Sequence, residues 1–245
     1  VPRRPFAASN EELNMNHTTL HDAPAESPEK LFSVIPAKAG IRLLPLTFTL
    51  FALLLTGCLD RGKPSRMIEH YAFEYPSPAF TGLVPLDQAV KVERFSVAKA
   101  YNTLSMVFRP EPFKLDTYGS NRWMTNPGDM VSDYLLRDLR GSGLFRAGFS
   151  YRDYEDARFV IQGGVEEFLE SDDGERRSAV LTLSVTLTDR SLPSFPGRLV
   201  FQNKYSFSEP ISDRTPAGLA GAMSRGMEKA STAIIMDVYQ AVRGL

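Results

Sequence analysis

Cysteine is all but missing from this chain: Cys58 is the only one in 245 residues. One sulfur cannot close an internal disulfide, so whatever folds here is held by ordinary packing. Histidine is nearly as scarce. Of the three, His17 and His21 fall in the first thirty residues, which leaves His70 for the rest of the chain. A zinc centre or a hydrolytic triad would have to be built around that one imidazole. No Gly-x-Ser-x-Gly elbow presents a serine to it, and we expect no enzyme. Charge of either sign is also lacking in excess, the formal net charge being −1. No strong field is present to gather nucleic acid or an anionic surface.

What the chain does have is an apolar run from Leu43 to Cys58, LLPLTFTLFALLLTGC, broken only by Pro45 and threonines. Lys38 and Arg42 stand just upstream, so a basic flank leads into a short greasy core that closes on small residues, the layout of an export signal. The run is shorter than the roughly 20 residues that cross a bilayer. Its last four residues, Leu55-Thr56-Gly57-Cys58, resemble the bacterial lipobox. There the signal peptidase cuts before a cysteine whose sulfur carries diacylglycerol as a thioether. The resemblance implies Leu55, Thr56 and Gly57 as the recognition residues and Cys58 as the lipidation site. It also implies a covalent diacylglycerol and an N-acyl lipid on Cys58, palmitate among them, with no other cofactor. Residues 1–57 are then leader and signal peptide, 58–66 a lipidated tether, and 67–245 one domain. Residues 1–33 are polar and without apolar periodicity, and translation is expected to begin near Val34.

Beyond the tether, strands are expected at Ile68–Tyr75, Val90–Phe95, Leu104–Arg109 and Phe113–Tyr118. Pro110 and Pro112 mark an edge or a bulge between the last two. Asn126-Pro127-Gly128-Asp129 reads as a helix start, with a capping side chain, Pro in the first turn and a carboxylate at the positive end of the dipole. Met130, Tyr134, Leu135 and Leu139 follow at helical spacing. After Phe145–Phe149, a short strand or the loop leading to one, come two long segments, Ala157–Leu169 and Arg177–Asp189, joined by turn-forming residues. The second alternates Leu181, Leu183, Val185 and Leu187 with Thr182, Ser184, Thr186 and Thr188, giving one apolar and one hydroxyl face. A strand at Arg198–Phe207 precedes a helix capped by Thr215-Pro216, whose stripe is Met223, Met227, Ala230, Ile234, Val238 and Ala241. The expected fold is α+β, an antiparallel sheet of about five to seven strands with two amphipathic helices on one face.

Three groups invite a functional reading. The carboxylates Glu166, Glu167, Glu170, Asp172, Asp173 and Glu175 lack calcium-loop spacing and are expected to be solvated around a hairpin tip. Gly163-Gly164, inside a strand, reads as a bulge. The group Tyr101, Phe108, Arg109, Phe113, Tyr118, Arg122 and Trp123 has two roles open to it. It either fills the space between sheet and first helix, or it offers Arg109, Arg122 and Trp123 as exposed anchors for a partner.

Several of these stretches together are similar to the auxiliary lipoproteins of bacterial ABC-type transport systems. They are the lipobox, His70-Tyr71-Ala72-Phe73-Glu74-Tyr75, the Val90–Val97 strand, and Met106-Val107-Phe108-Arg109 followed by Asn121-Arg122-Trp123 and a Pro-Gly-Asp helix start. The likeness covers nearly all of residues 58–245. It implies a non-catalytic accessory subunit of a lipid transporter whose periplasmic subunit carries mammalian-cell-entry domains, as in paraquat-inducible and toluene-tolerance systems. Its partners would be that subunit and the permease–ATPase complex, with self-assembly into an oligomer open and no nucleic acid. Leu59 after the acylated cysteine implies the periplasmic face of the outer membrane. A second reading is an assembly lipoprotein, a plug or chaperone for a barrel of the lipopolysaccharide-export type.

Overall fold

The computed structural model describes residues 67–194 and 196–245. In them the chain runs β1 (Glu69–Tyr71), β2 (Leu86–Val92), β3 (Ser96–Val97), β4 (Ser105–Glu111), β5 (Lys114–Trp123), α1 (Pro127–Gly141), β6 (Phe145–Ser150), β7 (Phe159–Asp172), β8 (Arg177–Asp189), β9 (Leu199–Pro210) and α2 (Pro216–Arg243). Leu55, Thr56, Gly57 and Cys58, and the tether after them, lie outside the described residues.

The long hairpin forms where the alternation places it. β7 and β8 pair antiparallel from Phe159 opposite Asp189 to Asp172 opposite Arg177, and β9 adds antiparallel to β8. The turn is tighter than expected because β7 continues to Asp172. Gly174 takes φ +90°, its N–H donates to Asp172 Oδ1 at 2.9 Å, and the Arg176 N–H donates to Asp173 Oδ1 at 2.6 Å, which is side-chain turn chemistry.

On its other edge β7 departs from expectation, and the nine strands form a mixed sheet rather than an antiparallel one. Three short strands line up in succession along it, all parallel to it: β2 against Phe159–Ile161, β3 against Gly164–Val165 and β4 against Glu170–Ser171. From β2 the sheet continues to β6, and from β4 through β5 to β1. Parallel pairs need a crossover, and the path from β4 to β7 supplies one through β5, α1 and β6. Alternation along each strand is blind to that path.

Between β2 and β4, residues 95–97 are clasped from both sides. A Cβ on Gly163 of β7 would overlap the Phe95 ring and approach Ser184 O to 2.7 Å, while one on Gly128 of α1 would strike Phe95 O and lie 2.8 Å from Val97 Cγ2. The Phe95 N–H donates to the buried Ser132 hydroxyl at 2.9 Å, and that hydroxyl donates to Gly128 O at 2.7 Å. Gly163-Gly164 is therefore a place of close approach, not a bulge. The register shift falls one step later, where Val165 opposes Leu183 and Glu167 opposes Thr182, leaving Glu166 extra.

Both helices begin at their expected caps. The Asn126 side chain accepts from Gly128 N at 3.0 Å, and the Thr215 hydroxyl accepts from Gly218 N at 3.0 Å. α2 lays Met223, Met227, Ala230, Ile234 and Val238 onto Leu181, Leu183 and the rest of the apolar face of β8, and α1 covers β6 and β7 beside it. Under the helices sits Trp123, only 1% exposed. Its ring lies 5.0 Å from that of Phe168 and 6.2 Å from that of Phe73. At the far end of β8, the Arg158 guanidinium donates to both oxygens of buried Asp189 (2.7–3.1 Å), whose Oδ1 also accepts from the backbone and hydroxyl of Ser191. These donors hold the Asp189 carboxyl far below the usual carboxylate range.

Three stability measurements check this architecture. Gly163→Ala should lower the unfolding free energy by about 1–3 kcal/mol through overpacking on Phe95. Gly164→Ala, whose Cβ would come closest to the hydroxyls of Ser96 and Ser184 at 3.0 and 3.2 Å, should cost less in the same urea titration. Trp123→Ala should cost about 3–5 kcal/mol. For Asp189, a folded pKa below the unfolded value stabilises above the unfolded pKa and is lost on acidification. Asp189→Asn should therefore be the less stable chain at neutral pH, with the gap closing as pH falls below about 4.

Candidate docking surface

The face of the sheet turned away from the helices carries the polar groups. An extra residue in β7 re-aims the side chains around it, and Glu166 and Glu167 both reach partners on this hydroxyl face. Lys204 Nζ lies 2.6 Å from Glu166 Oε2, and Arg109 Nη2 lies 3.7 Å from Glu167 Oε1. Glu167 also accepts from the Thr182 hydroxyl at 2.8 Å, and that hydroxyl meets Ser206 Oγ at 3.0 Å. The ammonium of Lys204 draws the Glu166 carboxyl below its ordinary range. Exposed pairs of this kind add little to stability. Their weight is in what they present: Arg109 keeps a third of its side chain in solvent.

Arg122 sits at the start of the sheet's other margin, in register with His70 of β1 and with Ser105 of β4. Its Nε is buried and makes no hydrogen bond, and a donor left unpaired in that way is costly. His70 is exposed on the edge strand. Of the three residues expected as partner anchors, Arg109 and Arg122 reach the surface and Trp123 does not. Trp123 belongs to the core, because its ring packs against those of Phe73 and Phe168.

The acidic group also divides differently. Glu166 and Glu167 are on the sheet face just described, whereas Glu170 is buried, accepting from the Tyr118 hydroxyl at 2.7 Å and facing Arg177 Nη1 at 3.1 Å. Arg177 Nε also pairs with Asp172 at 2.8 Å. Burial, and then the neighbouring carboxylate, push the Tyr118 hydroxyl well above its usual range. Glu170 was expected to be solvated; a tyrosine reaching across β4 from β5 and an arginine on neighbouring β8 enclose it instead. Among the described residues no three His, Cys, Asp or Glu side chains gather where a metal ion could be held.

A second buried cluster escaped the sequence reading. Only Glu69–Tyr71 of the expected first strand pairs; Phe73 and Tyr75 leave the sheet and pack on α1. The Arg137 guanidinium lies 4.4 Å and 4.5 Å from the ring centres of Tyr75 and Tyr134. Arg137 Nη2 lies 2.7 Å from the fully buried Asp138, which accepts from the Tyr75 hydroxyl at 2.7 Å. Tyr134 donates to Phe73 O. The signal was an aspartate set inside the apolar stripe of the helix, one turn beyond Tyr134 and Leu135.

At one end of the sheet two hairpin tips stand side by side. The β4–β5 turn brings Phe113 to φ +68°, a left-handed conformation rare outside glycine, and leaves its ring fully exposed beside half-exposed Leu115. Phe113 was expected to open a strand; the prolines at 110 and 112 instead place it in the turn, and β5 starts at Lys114. An open trough of about 810 Å³ runs from Arg109 and Pro112 across to Asp172 and Gly174 at the tip of β7–β8.

Among curated proteins, none matches this sequence. Solved structures share its fold. A crystal structure of a DUF330 protein from Xanthomonas campestris superposes with a TM-score of 0.64 at 19% identity, over 71% of this chain and 97% of the other. The crystal structure of an uncharacterised protein gives 0.56 at 12%, over 70% and 99%. The family model described as the ABC-type transport auxiliary lipoprotein component matches residues 72–235. That span runs from just after β1 into the last third of α2 and takes in both capped helix starts, and the chain belongs to the family of ABC-type transport auxiliary lipoprotein components.

Proposed function

We propose that this protein is a non-catalytic accessory subunit of an envelope lipid transporter. In this reading acyl chains on Cys58 hold it to the periplasmic face of the outer membrane, where it docks on the cell-entry-domain subunit that works with an ABC permease and ATPase. The observation that carries the reading is the family match over residues 72–235, set a short tether after a lipobox. Anchoring by two or three acyl chains is strong, since each buried methylene contributes about 0.8 kcal/mol where a single chain would be marginal.

The charges agree with a binding role. Asp129, Glu166, Asp172 and Asp189, whose carboxyls are all shifted downward, face Arg94, Lys204, Arg177 and Arg158 respectively. Lowered carboxyls of this kind are fixed charges, on the sheet face for Glu166 and inside the fold for Asp189, not proton carriers poised near neutrality. Arg109 and Arg122 are the residues of this surface that a partner would engage, arginine being favoured at the energetic centres of interfaces.

Two measurements test the proposal. Labelled palmitate should enter the full chain in a bacterial host and be absent from Cys58→Ser. The native lipoprotein, isolated from membranes under mild detergent, should bring with it a cell-entry-domain subunit and a transporter ATPase. Arg109→Glu, which sets a carboxylate opposite Glu167, should cut that recovery by about tenfold or more while the thermal midpoint stays within a few degrees. Recovery of an outer-membrane barrel in their place would overturn it.

A further inference from the structure

The β4–β5 tip poses a question that the docking face does not answer. Phe113 is the only non-glycine among the described residues with a positive φ, and its ring is as exposed as a side chain can be. The turn thus accepts an unfavourable backbone conformation and an exposed aromatic together, with half-exposed Leu115 one step away. At the tips Lys114 Nζ lies 2.9 Å from Glu111 Oε1 and Asp172 pairs with Arg177, while Asp116, Asp173 and Glu175 make no ion pair among the described residues. What the tip offers is therefore its apolar groups and not a positive patch.

The chain's own direction says which way the tip faces. β1 runs parallel to β5, with Glu69 opposite Asn121 and Tyr71 opposite Trp123. β5 starts at the tip, so the chain traced backward from Glu69 through the exposed Met67 heads toward the tip. Met67 stands level with Gly119, six residues along β5 from Phe113 or at most about 20 Å. The eight residues between Cys58 and Met67 can extend no farther than about 29 Å. The opposite end of the molecule also carries a fully exposed aromatic, Tyr154 in the loop before β7. It lies beyond a fourteen-residue strand of about 46 Å, away from the direction in which the chain leaves.

We infer that the β4–β5 tip enters the interfacial layer of the membrane carrying the anchor, with Phe113 and Leu115 as the inserted groups. This rests on anchoring through Cys58. The described chain begins at Met67 on the tip side of β1, so a short tether keeps that end within reach of the lipid surface, and an aromatic beside a lysine suits the boundary between headgroups and acyl chains, where the long stem is buried and the ammonium stays in water. Insertion fixes the tilt of the domain, so that the sheet stands upright on the membrane with its Arg109 face turned sideways toward a neighbouring complex.

The test uses the full lipidated chain, purified from membranes and reconstituted in vesicles of phosphatidylethanolamine and phosphatidylglycerol. With Cys58 acylated, a thiol introduced by Lys114→Cys or by Tyr154→Cys takes an environment-sensitive fluorophore. The label at 114 should lose emission to lipids brominated on the upper acyl chain, equally at low and high salt, and the label at 154 should not. Adding Phe113→Ser and Leu115→Ser should abolish the quenching at 114. If the protein floats with the vesicles and the label at 114 is unquenched, the inference is overturned and the anchoring reading stands. If that label is shielded from iodide without being quenched by bromolipid, protein covers the tip and the inference is likewise overturned. If the chain does not float and Cys58 itself takes the fluorophore, anchoring fails and takes the inference with it.

Discussion

No side chain can stand at position 163 while the Phe95 ring lies there, and from that contact the sheet's plan follows. Phe95–Val97 must thread between β7 and the first turn of α1, which requires glycine on both sides, at 163 and at 128. Once threaded, the segment brings β2 in ahead of it and β4 in after it along the same edge of β7. The branching of the sheet, into β6 on one side and β5 with β1 on the other, rests on that clasp. It also sets the angle at which α1 crosses the sheet, because the helix's capped start is pinned to the backbone it covers through Ser132.

Polar groups inside this frame are used for position. Asp138 with Tyr75 and Arg137, Glu170 with Tyr118 and Arg177, and Asp189 with Arg158 each tie two segments that the hydrophobic core alone would leave free to slide. Buried ion pairs are weak contributors to net stability but costly to break singly, which suits them to fixing register. All three carboxylates are buried among their partners, and what they supply is geometry. The hydroxyl face of β8 with Arg109, and the exposed tip, are the surfaces for which partner docking and membrane contact are proposed.

Much of this was legible in the chain. Caps at Asn126 and Thr215, the stripe of α2 and the alternation of β8 are local signals, and local physics decides them. The likeness to the auxiliary lipoproteins was legible too, in the Met106–Arg109 and Asn121–Trp123 stretches. Parallel pairing was not, because a strand's alternation is the same whichever way its neighbour runs. β1 is shorter than the alternation of Ile68–Tyr75 suggests, and β3 is not marked at all, because two residues carry no period. Trp123 could be read as anchor or core, since burial is decided by what arrives over it, and Phe73 and Phe168 come from far along the chain. Phe113 was taken for a strand residue although the flanking prolines were there to mark the turn. Glu170 looked solvated because nothing local announces that Tyr118 and Arg177 will close on it.

The parallel edge of β7 has a kinetic consequence. β2, β3 and β4 each pair with residues more than sixty positions later in the chain, and such long-range closures are slow. A polypeptide that emerges amino end first sets out residues 86–111 well before the edge they belong to exists. Through that interval β4 can pair only with β5 and β2 only with β6, and the edge of each that belongs to β7 has no native neighbour, the circumstance in which chains are most prone to associate wrongly. The two-residue length of β3 and the prolines at 110 and 112 limit how much of that stretch can line up with another strand while it waits.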